Sequence, residues 1–200
     1  MKKGNSLVEH RESEGLITSF DQIEPLVEEI YQAMFLCKRI KSKTTVLSKK
    51  EMEKAFGENS KGHCYFSFSL FNIPFFPKIY LCSDTTQNML IVAGHENGHL
   101  QKPYFSDNKD EETKAFLFQL SWEDVIMSNN IGGYAQFIGQ FRQSNSDLNE
   151  LREFPIHYHA YQLAKSIHRR NHGDWENELN ELIMISKPPT DYRRIGFSVH

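Results

Sequence analysis

The sequence predicts a single-domain α+β fold, in which a small N-terminal β-sheet with helices is followed by a mostly helical C-terminal half. Stretches with the alternation typical of strands lie in the first half, whereas apolar residues at three- and four-residue steps, the spacing of amphipathic helices, dominate the second. Strands that precede helices, instead of alternating with them, indicate an α+β order. A chain of 200 residues, 39% of them hydrophobic, holds one sizeable core.

The N-terminal half is predicted to contain an arm, two helices and the sheet. Residues 1–18 are polar and unpatterned, so we expect a flexible arm, with 19–200 forming the domain. Apolar spacing predicts a helix over 22–39, capped by Asp21, and a short helix over 49–56. Three strands are predicted from alternating or β-branched residues and are expected to pair with one another: 44–47, 63–71 and 78–82.

The second half is predicted to be almost entirely helical. Thr85 or Thr86 can cap a helix that reaches His99 and ends before Pro103. Four more helices follow from the apolar spacing and are separated by glycine or proline: 111–127, 131–141, 150–169 and 175–185. The chain shows no internal repeat, which agrees with a single domain.

The composition excludes several classes of partner. The formal net charge of -3 and the pI of about 6.3 provide no positive field for nucleic acid or an anionic membrane, so neither is expected. The longest apolar runs are much shorter than the roughly 20 residues that cross a bilayer. We expect no secretory signal, because the start lacks an apolar segment, and three cysteines without a CxxC pair favour a reducing compartment. The sequence thus predicts a cytoplasmic protein.

The segment His95-Glu96-Asn97-Gly98-His99 matches the pattern HExxH. Residues at i and i+4 lie one turn apart on a helix, so the two histidines can converge on one metal ion. The intervening Glu96 then lies beside the attacking water, where it can take the water's proton and pass it to the leaving amine. Zinc suits this chemistry because it activates water and polarises a carbonyl, but it needs a third protein ligand and an open position.

The setting of the motif strengthens a signal that is moderate by itself. Random placement would produce HExxH in about one of 30 sequences of this composition. Apolar residues at 89–93 put the motif on a half-buried helix, where a ligand pair belongs. Gly98 also permits another element to approach closely. The alternative is that both histidines lie at the surface and bind no ion.

Residues 89–100 (MLIVAGHENGHL), followed by 112–118 (ETKAFLF), resemble the gluzincin metallopeptidases. The likeness is closest to the minigluzincins, small single-domain forms that pair HExGH with ExxA on the next helix, and it covers 78–129, about a quarter of the chain. The resemblance implies that Glu96 is the general base in the hydrolysis of peptide or protein substrates. It also implies one zinc ion with three protein ligands: His95, His99 and Glu112.

The residues by themselves leave the third ligand open, because Glu112 follows His99 by only 13 residues, a short interval for the family. Glu112 is favoured since the small Ala115, one turn further on, would let its helix approach the motif. Glu111 would point about 100° away from Glu112, and Glu123 would lie about 16 Å further along the helix. Three other candidates remain, each of which is otherwise an ordinary surface residue: Asp110, Glu153 and His157.

Two side chains are candidates for stabilising the oxyanion that forms during hydrolysis. His157 lies one turn after Glu153 in a cluster that opens a later helix, and Tyr134 follows two glycines. The leading hypothesis is therefore a cytoplasmic zinc metallopeptidase, a hydrolase. The alternative is a gluzincin-like domain that acts as a non-catalytic metal-binding or regulatory interaction module. A metal-free helical interaction protein is a third hypothesis, and it predicts no stoichiometric metal.

Overall fold

A computed structural model of the chain describes residues 15–34, 42–58, 60–65, 77–144 and 151–186. Within these residues the fold is α+β, as predicted, with a small sheet in the N-terminal half and a helical C-terminal half. The helices are α1 (Glu24–Ala33), α2 (Lys49–Phe56), α3 (Thr86–Leu100), α4 (Asn108–Asn129), α5 (Ala135–Ser144), α6 (Pro155–Asn171) and α7 (Trp175–Ile185), with 3-10 turns at Phe20–Gln22 and Ile131–Gly133. The strands are β1 (Lys43–Leu47), β2 (Gly62–Tyr65) and β3 (Lys78–Cys82).

The described strands form one mixed sheet in the order β1-β3-β2. β1 pairs with β3 in parallel, and β2 pairs with β3 in the antiparallel direction. The central strand β3 buries Ile79 and Leu81 against the core, whereas its alternate residues are more exposed. The strands predicted over 44–47 and 78–82 are confirmed. The strand predicted over 63–71 begins at Gly62, and its residues beyond 65 lie outside the described part of the chain.

The segment just before α1 is anchored to the sheet, which corrects the boundary of the predicted arm. Ile17 is buried, and its N–H donates to the carbonyl oxygen of Asp84 at 2.9 Å. The carbonyl of Ile17 in turn accepts a hydrogen bond from Ser83 Oγ at 2.6 Å. Residues 15–18 therefore belong to the domain, and residues 1–14 of the predicted arm lie outside the described residues.

The predicted helices are found with boundaries that differ for local reasons. α1 begins at Glu24, because a 3-10 turn with Ser19, not Asp21, at its N-cap position precedes it. The predicted end of this helix lies outside the described residues. α4 begins three residues earlier than predicted because the side chain of Asp107 caps it. α6 begins five residues later than predicted, at Pro155, a residue that favours the first turn.

α4 runs through the helical half and separates two apolar clusters. On one side Phe118 and Trp122 pack with α1, α3 and the sheet. On the other side Leu117 and Leu120 pack with α6 and α7. Because both sides are covered, α4 lacks the one-sided apolar stripe of a surface helix. Although α4 has 22 residues, neither it nor any other described helix is both long and apolar enough to cross a membrane.

α3 and α4 approach each other most closely at two glycines that lie one turn apart. A Cβ atom at Gly98 would lie 2.7 Å from Ala115 Cα and 2.8 Å from the Ala115 carbonyl oxygen, and one at Gly94 would lie 2.9 Å from the Trp122 ring. These distances are shorter than van der Waals contact, so a hydrogen atom is the substituent that fits there. The expectation that Gly98 and Ala115 permit a close approach is confirmed.

Gly98→Ala is expected to destabilise the protein by about 1–3 kcal/mol, because the added methyl group meets backbone atoms that cannot rotate away. The free energy of unfolding, measured by chemical denaturation, checks this. Gly139→Ala in α5 is the matched control, since a Cβ atom there would meet Met127 Sδ at 3.9 Å, an ordinary contact. Helix propensity should make that control neutral or stabilising. A Gly98→Ala protein as stable as the wild type would contradict the close crossing.

A network of charged side chains joins four helices at the C-terminal end of α4. On α6, His168 Nδ1 lies 2.6 Å from Glu178 Oε1, and Nε2 lies 3.0 Å from Asp124 Oδ2. Arg142 on α5 is ion-paired with Asp124 and, at 2.5 Å, with Glu123. Burial alone would lower the pKa of His168, but hydrogen bonds to Asp124 and Glu178 raise it to about 9. The positively charged imidazolium thus links α4, α6 and α7 at neutral pH.

The stability of the protein is expected to fall as the pH rises through about 9. The folded-state pKa of His168 lies above its ordinary value of 6.5, so its stabilising contribution is fully present below pH 6.5 and is lost as the imidazolium deprotonates near pH 9. With solvent screening, we expect a loss of about 1–2 kcal/mol. At about pH 6 the wild type should have a larger unfolding free energy than His168→Gln. At about pH 10 this difference should be smaller by that amount. A difference that does not change with pH would rule this role out.

Candidate metal centre

α3 presents its two histidines from one side of its C-terminal half. The helix begins where the side chain of Thr85 accepts a hydrogen bond from the Asn88 N–H, and it continues unbroken through the HExxH motif. His95 and His99 have ring centroids 4.9 Å apart, and each side chain is 13% exposed. The predicted placement of the motif on a half-buried helix is confirmed.

Glu112, in the second turn of α4, completes a three-residue group with His95 and His99. His95 Nε2 lies 3.2 Å from Glu112 Oε2, and His99 Nε2 lies 3.7 Å from Glu112 Oε1. One potential ligand atom of each residue lies within 4.8 Å of the other two. The close crossing of α3 and α4 brings the three side chains to this separation. Two imidazoles and one carboxylate form the donor set of a catalytic zinc site, in which a further position stays open.

Two buried polar atoms of this group have no hydrogen-bond partner within the described part of the chain: Glu112 Oε2 and His95 Nδ1. Burial alone would raise the pKa of Glu112, but His99, His95 and His157 lower it to about 2, so the carboxylate is charged. A buried, charged oxygen without a hydrogen bond is costly. A divalent cation would satisfy it, and the residues therefore fit a metal ion.

Glu96 lies beside the three-residue group, and strand β2 covers it. A Cβ atom at Gly62 would lie 2.4 Å from Glu96 Oε1, so the absence of a side chain at this position lets β2 pass directly over the carboxyl group. The side chain of Glu96 is consequently buried. Burial, opposed by His99 and reinforced by Glu112, raises the pKa of Glu96 to about 8. A carboxyl group with this affinity for protons can accept and release one near neutral pH, as a general base must.

His157 marks the exposed side of the group. Its Nε2 lies 3.5 Å from Glu112 Oε2, and its side chain is 41% exposed, against 8% for that of Glu112. Two aromatic rings border this side. The ring of Phe116 packs on His95 with centroids 4.4 Å apart, and that of the half-exposed Phe154 lies 6.0 Å from His157. His157 on α6 and Phe154 just before that helix thus border the exposed side of the group.

The other candidates for the third ligand lie elsewhere or contact a different atom. Glu123 belongs to the ion-paired network at the other end of α4, and Glu153 is exposed in the turn before α6. Asp110 is a partly exposed residue in the first turn of α4. Glu111 places Oε1 3.3 Å from His99 Nδ1, the ring nitrogen that does not face Glu112. It contacts the three-residue group from outside and is not part of it.

Tyr134 is not brought to the three-residue group. It is buried in the apolar core beyond the C-terminal end of α4, and about 25 Å of helix separates Glu112 from Asn129 at that end. Its ring packs against the backbone at Gly132, where a Cβ atom would lie 2.6 Å from Tyr134 Cε2. This position does not fit the predicted oxyanion role, and the tyrosine is a core residue.

Lys114 is a neighbour of the group that sequence reasoning missed. Its side chain is completely buried, and Nζ lies 2.7 Å from Glu111 Oε1 and donates to the carbonyl oxygen of Gln101 at 2.7 Å. A lysine within a helix normally indicates a position that faces solvent. Its burial could be suspected only from the acidic residue three positions earlier, a spacing that allows ion pairs on any helix.

The chain matches no protein-family model, no curated protein and no solved structure. A proposal for its function therefore depends on the geometry of the residues that α3, α4 and α6 bring together: His95, Glu96, His99, Glu112 and His157. Two of these elements, α3 and α4, supply all the atoms that could bind an ion in the group described above.

Proposed function

We propose that the protein is a zinc-dependent metallopeptidase of the gluzincin type. The observation that carries this proposal is the convergence of both histidines of HExxH with Glu112 of the next helix, beside the buried Glu96. This combination of residues is one that supports metal-assisted peptide hydrolysis. A zinc ion held by the three residues would supply the Lewis acidity that lowers the pKa of water and polarises a peptide carbonyl.

Glu96 is the proton carrier in this proposal. Its carboxylate takes a proton from water as the new bond between oxygen and the carbonyl carbon forms, and it delivers that proton to the amine as the C–N bond breaks. β2 at Gly62 keeps bulk water from the carboxyl group. This burial, which places the pKa of Glu96 at about 8, favours both halves of the transfer near neutral pH.

His157 is the residue that we assign to the substrate's carbonyl oxygen. It lies on the exposed side of the group, 3.5 Å from Glu112 Oε2, where a peptide would approach. Burial lowers the pKa of His157, and the two neighbouring histidines add to this although Glu112 opposes it. The neutral imidazole still carries one N–H. That N–H can donate a hydrogen bond to the oxygen as negative charge develops on it.

The proposal is tested by measuring zinc content and peptide hydrolysis on the same preparation. Protein purified without added metal should contain about one zinc per chain by elemental analysis. It should cleave members of a broad peptide library, and mass spectrometry of the products should show a new amine and a new carboxylate at each cut. Removal of zinc by a chelator should abolish cleavage, and one equivalent of zinc should restore it.

The possible outcomes separate the leading proposal from its alternatives. Wild-type protein without stoichiometric metal would overturn the proposal and favour a metal-free interaction protein. Stoichiometric zinc without cleavage of any library member would favour the non-catalytic metal-binding or regulatory module. Cleavage that continues after complete removal of the metal would show that hydrolysis arises elsewhere, in a contaminant or a second site.

A cytoplasmic location is part of the same proposal. It depends on the absence of CxxC pairs in the sequence and on Cys82, whose thiol forms no disulfide within the described part of the chain. Cell fractionation of the native protein, with its thiols titrated immediately after lysis, tests it. Recovery in an oxidising compartment would contradict this part of the proposal and leave the metal chemistry untouched.

A further inference from the structure

We infer that Lys114 is a positioning residue for the metal centre, and that it acts on His99 through Glu111. The inference rests on the proposed metal site and adds to it a support outside the three ligands. The ammonium group of Lys114 contacts Glu111 and backbone carbonyl oxygens at the end of α3. We assign its effect on the site to the residues that it holds in place.

The ammonium group of Lys114 lies under the end of α3. Its side chain is completely buried, and Nζ lies within hydrogen-bond distance of three backbone carbonyl oxygens at the end of the HExxH motif and just after it. These bonds are 2.7 Å long to Gln101, 3.3 Å to His99 and 3.3 Å to Pro103. The last carbonyls of a helix have no partner within the helix itself. A lysine on the neighbouring helix supplies that partner here.

Glu111 connects this ammonium group to the imidazole of His99. Its Oε1 lies 2.7 Å from Lys114 Nζ and 3.3 Å from His99 Nδ1. Its Oε2 accepts a hydrogen bond from the Phe105 N–H at 2.9 Å. Both oxygens are thus engaged, and the carboxylate is fixed between the segment after α3 and the ring of a metal ligand.

This arrangement orients His99 for binding through Nε2. A carboxylate at Nδ1 keeps the proton on that nitrogen, leaves Nε2 free for a metal, and sets the plane of the ring. His95 has no such partner, since its Nδ1 is buried without a hydrogen bond in the described residues. Its ring is held by packing on Phe116 instead. The two histidines are therefore oriented by different means, and Lys114 bears on only one of them.

The charge of Lys114 is what makes Glu111 suitable for this task. A buried carboxylate without a counter-charge is unstable and would turn towards solvent or another donor. The ammonium group neutralises Glu111 and also contacts carbonyl oxygens at the end of α3. Replacing Lys114 by an apolar residue would release the carboxylate, and His99 would lose its fixed orientation.

The test compares metal binding in Lys114→Met, Glu111→Gln and the double variant. The zinc Kd is measured by competition with a chromophoric chelator, and the visible absorption of the cobalt-substituted proteins reports the geometry around the ion. Each single variant is expected to bind zinc about 10–100-fold more weakly than the wild type and to change the cobalt spectrum. In the Glu111→Gln background, Lys114→Met should weaken binding no further than about twofold, because both act through one carboxylate.

Arg142→Met is the matched control, because it also removes a largely covered cation that is ion-paired with acidic residues of α4, but at the far end of that helix. It should lower stability while leaving the zinc Kd within about twofold and the cobalt spectrum unchanged. If Lys114→Met does not fold, Lys114→Gln takes its place with the same expectation. If neither folds, Glu111→Gln alone carries the test, and normal zinc binding by that variant overturns the inference.

Three results would overturn the inference while leaving the proposed function intact. The first is an unchanged zinc Kd in Lys114→Met. The second is a double variant whose fold-increase in zinc Kd is the product of those of the two single variants. The third is an Arg142→Met protein whose zinc Kd rises as much as that of Lys114→Met. Wild-type protein that binds no zinc would instead overturn the proposed function itself. Failure of the inference and failure of the proposed function are therefore distinguished by the wild-type measurement.

Discussion

Glu96→Gln is expected to bind zinc as tightly as the wild type and to lose about 10²–10⁴-fold in kcat for peptide hydrolysis. The amide has nearly the shape of the carboxyl group and keeps its place under Gly62, but it cannot take a proton from water. Metal binding should be unaffected because Glu96 is not one of the three grouped donors. The prediction therefore separates the proton carrier from the ligands.

The Glu96→Gln measurement pairs elemental analysis with initial rates on a cleaved peptide. Glu176→Gln on α7 is the control, since that glutamate is exposed and far along the chain from the motif. The control should match the wild type in both zinc content and rate. A Glu96→Gln protein with undiminished kcat would show that the proposed general base is wrong, and loss of zinc in this variant would make Glu96 a ligand.

Glu112→Ala is expected to weaken zinc binding by more than about 100-fold, so that the protein is purified with little metal. Loss of a ligand removes a bond to the ion and should cost more than loss of an outer support, which typically costs 10–100-fold. The same result is expected for His99→Ala. Catalysis should disappear in both variants, and high added zinc should restore part of it.

Asp110→Ala separates the loss of a ligand from the loss of negative charge at the start of α4. Asp110 lies in the first turn of the same helix, so its replacement perturbs the helix N-terminus in a similar way without touching the three-residue group. It should retain zinc. Loss of zinc in His99→Ala but not in Glu112→Ala would mean that another residue, with His157 the nearest candidate at 3.5 Å from Glu112, completes the site.

The helix that carries the motif could be predicted because its signals are local. Thr85 supplies the N-cap, apolar residues line the first turns, and the i, i+4 spacing places His95 and His99 on one face. The strand Lys78–Cys82 and the helix Trp175–Ile185 were predictable at their observed boundaries for the same reason. Each depends on residues within a few positions of one another.

The approach of Glu112 to the two histidines was harder to predict because it depends on how two helices cross. The angular argument that only one of Glu111 and Glu112 can face the two histidines from the metal-binding side agrees with the structure, in which Glu112 faces both Nε2 atoms. Small residues gave the only sequence signal for the crossing, at Gly98 and Ala115. The pattern did not reveal that Glu111 contacts the reverse side of His99, because that contact requires the fold of the segment after α3.

Other parts of the site have no sequence signal at all. Strand β2 covers Glu96 through Gly62, which lies 34 positions earlier in the sequence. This contact depends on how the sheet packs on α3, which no local pattern of residues predicts. A lysine within a helix normally faces solvent, yet Lys114 is completely buried. Tyr134 looked suitable because it follows two glycines, but the chain places it in the core at the wrong end of α4.

Because α3 and α4 cross closely, folding of the chain brings His95, His99 and Glu112 together before any metal binds. In zinc-finger domains the metal organises the chain, and apoprotein is unfolded. Here the two helices that carry His95, His99 and Glu112 are joined by buried side chains such as Leu100, Phe118 and Trp122, so burial of apolar surface offsets the entropy cost of ordering them. Apoprotein should thus keep its circular dichroism spectrum, and the supply of zinc in the cell would set how much of a folded pool is active at any moment.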